Sequence, residues 1–183
     1  MRFATRLLLG GALLCPLAPG TVRGQCGTEG DPDEMAFLRA AGQHFGTPRS
    51  EVLVLSRWGV SASEIPVVLH LAKRAGVSPD VVVARRRHGD GWMEIAGGYS
   101  VHAGDFHVPM EGAAGFLSAV YKRFNAREAS EWREISLSDE EVVGLVNVRF
   151  LSRVLDLSPA RVVKAMGDGR DFVGVFIRLS GGG

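Results

Sequence analysis

One feature constrains this chain more than any other: its helix-boundary signals occur twice, in the same order. "GVSPDVVVARRRHGDGWMEI" (76–95) aligns with "DLSPARVVKAMGDGRDFVGV" (156–175) at an offset of 80 residues. "FLRAAGQHF" (37–45) aligns with "FLSAVYKRF" (116–124) at an offset of 79, and "VSASEI" (60–65) with "LSDEEV" (137–142) at 77. Three blocks in one order at near-equal spacing point to an internal duplication, with small differences in loop and helix length between the copies.

Each boundary signal has a physical reading. In "SPDV" and "SPAR", Ser stands at a helix N-cap and Pro at the first helical position, where its missing N–H costs nothing and its φ is already helical. "DPDE" (31–34) and "TPRS" (47–50) offer the same start. "SDEE" (138–141) has capping-box spacing. "SASE" (61–64) has it too, but a helix starting at Ser63 keeps Pro66 in the first turn. Gly89 and Gly167 read as the residues that end helices, with Asp90 and Asp168 as N-caps of the next ones. Asp171 then completes an acidic capping box. Apolar residues recur at helical spacing, as in Ile65, Leu69 and Ala72. The expected helices are 32–45, 48–58, 63–75, 79–88 and 91–98, then 115–124, 127–135, 139–155, 159–166 and 169–179. "DFVGVFIRL" alone favours a strand; its partner "GWMEIAGGY" is helical, and the repeat decides. The fold class is therefore all-α, with two related repeats of about five short helices at 31–98 and 115–180. The glycine-rich stretch 99–114 reads as the connector.

The first 24 residues have a different character. Arg2 and Arg6 precede the apolar run "LLLGGALLCPLAPG", and Gly24 offers a small residue for cleavage, the layout of a secretory signal peptide. The run is shorter than the ~20 residues a membrane-spanning helix needs, although an uncleaved anchor is the rival reading. A flexible tail at 25–30 would follow. Cleavage takes Arg2, Arg6, Arg23 and Cys15 with it, leaving 18 basic and 20 acidic residues, a charge of −2 where the whole chain has +1. No general attraction to nucleic acid remains. Cys26, alone on the tail, makes no disulfide framework within the chain.

Several stretches invite chemistry. "ARRRH" places Arg85, Arg86, Arg87 and His88 together as a candidate anion site. The same cations suit a helix C-terminus, where each complements the macrodipole. The other copy keeps only Lys164, so the repeated scaffold does not require the run. Residues 61–87 resemble a DNA-reading helix–turn–helix, a reading opposed by the leader and the charge. His102, Asp105 and His107 in "HAGDFH", with Glu94 as an addition, are metal-ligand types without a recognisable zinc spacing. "GDGW" and "GDGRD" lack the oxygen donors of an EF-hand and the pattern of a phosphate loop. No nucleophile motif appears. Trp58, Trp92 and Trp132 read as packing anchors, with sugar stacking as the functional alternative in a secreted chain.

The combination of "SASEI", "GVSP", "GDGWMEIA" and "FHVP" resembles a group of bacterial secreted proteins of unknown function. They share S-x-x-E-I, G-x-S-P, G-x-x-W-x-x-I and F-x-V-P motifs. The likeness spans about residues 48–110. It is weaker in the second copy, where Phe172 replaces the Trp and only "SGGG" follows Leu179. The resemblance implies export and a helical fold, and brings no reaction, cofactor or catalytic residue.

The sequence thus predicts an exported, periplasmic or extracellular helical protein. It reads as a non-enzymatic interaction module with a protein or envelope partner, no cofactor, no catalytic residues and no transmembrane span in the mature chain. The alternatives are a small-ligand or anion binder acting through Arg85–His88, or a DNA-binding helix–turn–helix protein if the leader is misread.

Overall fold

The structure is a computed structural model that describes residues 30–167 and 171–181. The leader at 1–24, Cys15, Cys26 and Asp168 lie outside these residues. Among the described residues there are ten α-helices, two 3-10 helices and no strand. The helices are α1 Pro32–Phe45, α2 Arg49–Arg57, α3 Ile65–Ala75, α4 Pro79–His88, α5 Trp92–Gly97 and α6 Ala103–Phe106. A 3-10 turn, Gly115–Leu117, leads into α7 Ser118–Asn125, and the 3-10 helix Ala129–Glu134 follows. The chain ends in α8 Asp139–Leu155, α9 Pro159–Met166 and α10 Phe172–Ser180.

Two helices make the centre. Every residue of α3 from Ile65 to Ala72 is buried, so this helix is covered on all sides. It packs against α8, the longest helix, and both touch α1. From the N-terminal end of the described chain, α1 reaches α10 at the other end. Phe37 meets Phe150 of α8 and Phe176 of α10 edge to face, at centroid distances of 5.4 and 5.8 Å. Such contacts add to the burial of large apolar surface. One hydrophobic core runs from Phe37 to Phe176 through both halves of the sequence.

Polar side chains lock this arrangement. Asn147, wholly buried on α8, donates from Nδ2 to the carbonyls of Ser63 and Val143, both at 2.8 Å. Arg149 donates to the carbonyls of Asp105 at 2.8 Å and His107 at 2.6 Å, holding the segment around α6 against α8. A hydrogen bond to a charged donor is worth about 1.5–3 kcal/mol. Gly144 lets the turn before α7 lie close on α8: a Cβ there would sit 2.9 Å from Phe116 and 3.0 Å from Leu117.

The structure corrects several expected boundaries. Pro48 is the N-cap of α2, one residue outside the helix. α3 starts at Ile65, because Ser61–Glu64 forms a separate turn in which Ser61 O accepts from the amides of Glu64 and Ile65. Of the segment 127–135, Ala129–Glu134 is helical, and it is a 3-10 helix. The connector is not structureless, since it contains α6, whose first turn is closed by Asp105 Oδ2 accepting from His102 N at 2.8 Å. α10 starts at Phe172 and is capped by Asp171, whose Oδ1 accepts from Gly174 N at 3.0 Å. "DFVGVFIRL" is helical.

Candidate functional site

The arginine run sits where a helix end would put it. α4 ends at His88, and Gly89 takes the left-handed conformation (φ 105°) that closes it. The helix turns its three arginines and His88 in two directions. Arg85 and Arg86 are half-buried, while Arg87 and His88 are exposed.

The inner pair is committed to carboxylates. Arg85 Nε donates to Asp90 Oδ2 at 2.7 Å. Arg86 is a hub. Its Nη2 donates to Glu64 Oε1 at 3.0 Å, and its Nη1 donates to Asp139 Oδ2 at 2.5 Å and to Asp90 O at 3.2 Å. Its guanidinium carbon lies 4.5 Å from the centroid of the Trp92 ring, a cation–π contact. Burial works against the charge on Arg86, and the hydrogen bonds it donates to Asp139 and Glu64 outweigh it, so its pKa is raised. One side chain thereby ties α4 to the turn before α3, to α5 and to the start of α8. A hollow of about 270 Å³ lies beside this junction, with Phe116, Val143 and Phe172 among its walls.

The neighbouring cap differs from the expected one. Gly91, not Asp90, holds the N-cap position of α5, because Asp90 is taken by Arg85. Glu94 Oε2 accepts from Gly91 N, and Asp139 Oδ1 accepts from Trp92 N, each at 2.8 Å. The second of these caps comes from a residue 47 positions away. A Cβ at Gly91 would sit 3.3 Å from Asp139 Oδ1, so glycine gives that carboxylate room to approach. In the sequence Asp139 stands only as part of the "SDEE" start of α8, and this second role is not visible there. No local pattern signals a cap supplied from another helix.

The outer pair lies on a different surface. On α4, Asp80, Val81, Ala84, Arg87 and His88 are exposed along one stripe. α2 packs against α4 and exposes Arg49, Ser50, Val54 and Arg57, followed by Trp58. Val54, Trp58 and Val81, at 37%, 43% and 38%, are the exposed large hydrophobic residues among those described. Val54 and Val81 lie on these two touching helices and Trp58 directly after α2. Trp58 is thus not the buried anchor that the sequence suggests, whereas Trp92 is fully buried. Trp132 is partly buried against the core.

The histidine-rich connector does not converge. Asp105 pairs with Arg74 at 3.1 Å, His102 is exposed, and His107 lies against the Trp132 ring at 4.2 Å. Glu94 is occupied at Gly91. Among the described residues no three His, Cys, Asp or Glu side chains are grouped to hold a metal, and no helix is long and apolar enough to cross a membrane. His70 is buried, and burial, with Arg149 and Arg74 nearby, pushes its pKa down to about 3. No protein-family model, curated protein or solved structure matches this chain.

Proposed function

We propose that the chain is an exported, non-enzymatic interaction module whose contact surface is the α2–α4 face. The observation that carries this reading is that the exposed large hydrophobic residues among those described, Val54, Trp58 and Val81, all lie on or directly after two helices that touch. Scattered exposed apolar residues need no explanation, but a concentrated group marks a contact surface. Trp is also a residue type enriched at binding hot spots. Arg49, Arg57 and Arg87 make no ion pair or hydrogen bond through their side chains among the described residues, against Asp80 as the exposed acid of α4. The face therefore suits a protein partner with apolar and acidic groups. Export rests on the leader-like N-terminus and on the resemblance.

Anion capture by the whole Arg85–His88 run is less favoured, because Arg85 and Arg86 already hold Asp90, Glu64 and Asp139. For a helix–turn–helix role, α4 offers Arg87 as its one exposed arginine. The duplication gains support from an unforeseen match. The buried polar residues of the described core are His70 and Asn147, and the 77-residue offset of the second block sets one on the other.

The test is photo-crosslinking in the native host. A crosslinking amino acid replaces Trp58 or Val81, with Arg161 on α9 as the control position. The reading expects the full chain in the envelope or medium fraction, and one acidic protein captured from the first two positions alone. Retention of an intact N-terminus in the cytoplasm contradicts export. Equal capture from Arg161 contradicts the face.

A further inference from the structure

A second surface, between α7 and the 3-10 helix Ala129–Glu134, does not depend on the α2–α4 reading. Trp132 is held in one orientation. Its Nε1 donates to the carbonyls of Phe124 at 3.0 Å and Arg127 at 3.3 Å, and the Phe124 ring meets it edge-on at 5.1 Å. His107 lies against it with ring centroids 4.2 Å apart. Tyr121 completes an aromatic wall, and its hydroxyl is anchored by donating to the Val108 carbonyl. This wall borders a hollow of about 420 Å³. That falls within the range of roughly 300–1,000 Å³ typical of small-molecule sites.

The rest of the lining mixes Met110, Gly112 and Ala114 with polar side chains. Ser118, Lys122 and Asn125 all face this hollow from α7, and none of their side chains has a hydrogen bond or ion pair among the described residues. The His107 imidazole makes ring contacts but no hydrogen bond among them. No carboxylate lines the hollow. A rigid aromatic platform thus stands beside a hydroxyl, an amide, an ammonium and an imidazole, all with bonding capacity to spare.

We propose that this hollow is a saccharide-binding site that takes one or two pyranose units. A pyranose ring has an apolar C–H face for the aromatic wall. Its hydroxyls both donate and accept, which suits a mixed set of Ser, Asn and imidazole groups. The competing ligand classes fit less well. A purely apolar ligand would leave the polar groups unsatisfied on desolvation, at a cost for each. A phosphate would find one cation, Lys122. A metal ion would find no carboxylate. Burial, with Arg149 nearby, lowers the His107 pKa, which favours the neutral ring, able to donate one hydrogen bond and accept another.

The experiment uses the full chain on an array of neutral oligosaccharides, followed by calorimetric titration of the best binder. At least one glycan is expected to bind. Asn125→Ala should weaken it about two- to tenfold, the worth of one hydrogen bond. Ser118→Ala should act similarly, and Trp58→Ala should leave affinity unchanged. Ser118 and Asn125 are exposed, so circular dichroism should show both variants folded. Failure of every glycan to bind overturns the proposal. So does a binder that keeps full affinity in both α7 variants, or one lost on Trp58→Ala. The crosslinking result at α2–α4 is read separately.

Discussion

Two helix ends of the molecule, each followed by a glycine and then by a helix that buries an aromatic ring, are surrounded by different chemistry. In one, α4 turns through Gly89 into α5 and buries Trp92; in the other, α9 turns through Gly167 into α10 and buries Phe172. Both glycines have positive φ, but Gly89 is left-handed (ψ 3°) and Gly167 is not (ψ −136°). The 80-residue offset sets Arg86 against Met166, which is 4% exposed. At the first corner the arginine covers the aromatic ring and draws in carboxylates from two other segments. At the second the side chain is apolar, and the next helix is capped by its own Asp171. The lesson is that a helix corner of this kind closes with or without charge. The charged version adds a specific long-range link, at the cost of desolvating the ions.

The largest effects should show what the corners share. Trp92→Ala and Phe172→Ala should each cost about 3–5 kcal/mol in urea unfolding, since both leave cavities in one core. A loss under about 1 kcal/mol at Phe172 would break the equivalence. The next effect should show what they do not share. Arg86→Ala should cost about 1–3 kcal/mol, below the value for a fully buried pair because solvent still reaches the site. Arg86→Met, which copies the other corner, should regain stability when Glu64→Gln and Asp139→Asn are added. No regain would mean that the carboxylates never needed the arginine.

Acid should act through one of the two buried polar residues, His70. His70 is neutral in the fold, with its pKa near 3, and about 6.5 when unfolded. The unfolded chain therefore binds the proton first. Stability is unaffected above about pH 6.5 and falls by up to about 1.4 kcal/mol per pH unit as pH drops toward 3. His70→Asn, which copies Asn147, should flatten this slope in melts from pH 7 to 4; an unchanged slope would locate the acid sensitivity elsewhere. The smallest effects concern caps and surface. Asp171→Ala should cost about 1 kcal/mol. Arg87→Ala should stay within about 0.5 kcal/mol, although the same exposed side chain lies on the proposed contact face.

Local signals made most of the helices legible. Ser138 and Glu141 cap α8 reciprocally as their spacing predicts, and Gly89 ends α4. These signals act within one turn, so the sequence displays them. The connector helix α6 was hidden because four residues are too few for periodicity. The site was less legible still. Whether Arg86 or Arg87 turns inward depends on which face of α4 the rest of the fold covers. Asp139 as a cap for Trp92, and Trp132 beside His107, depend on contacts between distant segments. Trp58 was misjudged because burial was assumed from residue type.

The most direct test of the Arg86 latch is a double-mutant cycle on Arg86→Ala and Asp139→Ala, read by urea unfolding of the full chain. The ion pair and its link between α4 and α8 predict a coupling of at least about 1 kcal/mol. Strictly additive losses would contradict it, and would make the charged corner no more than a chance arrangement of surface side chains.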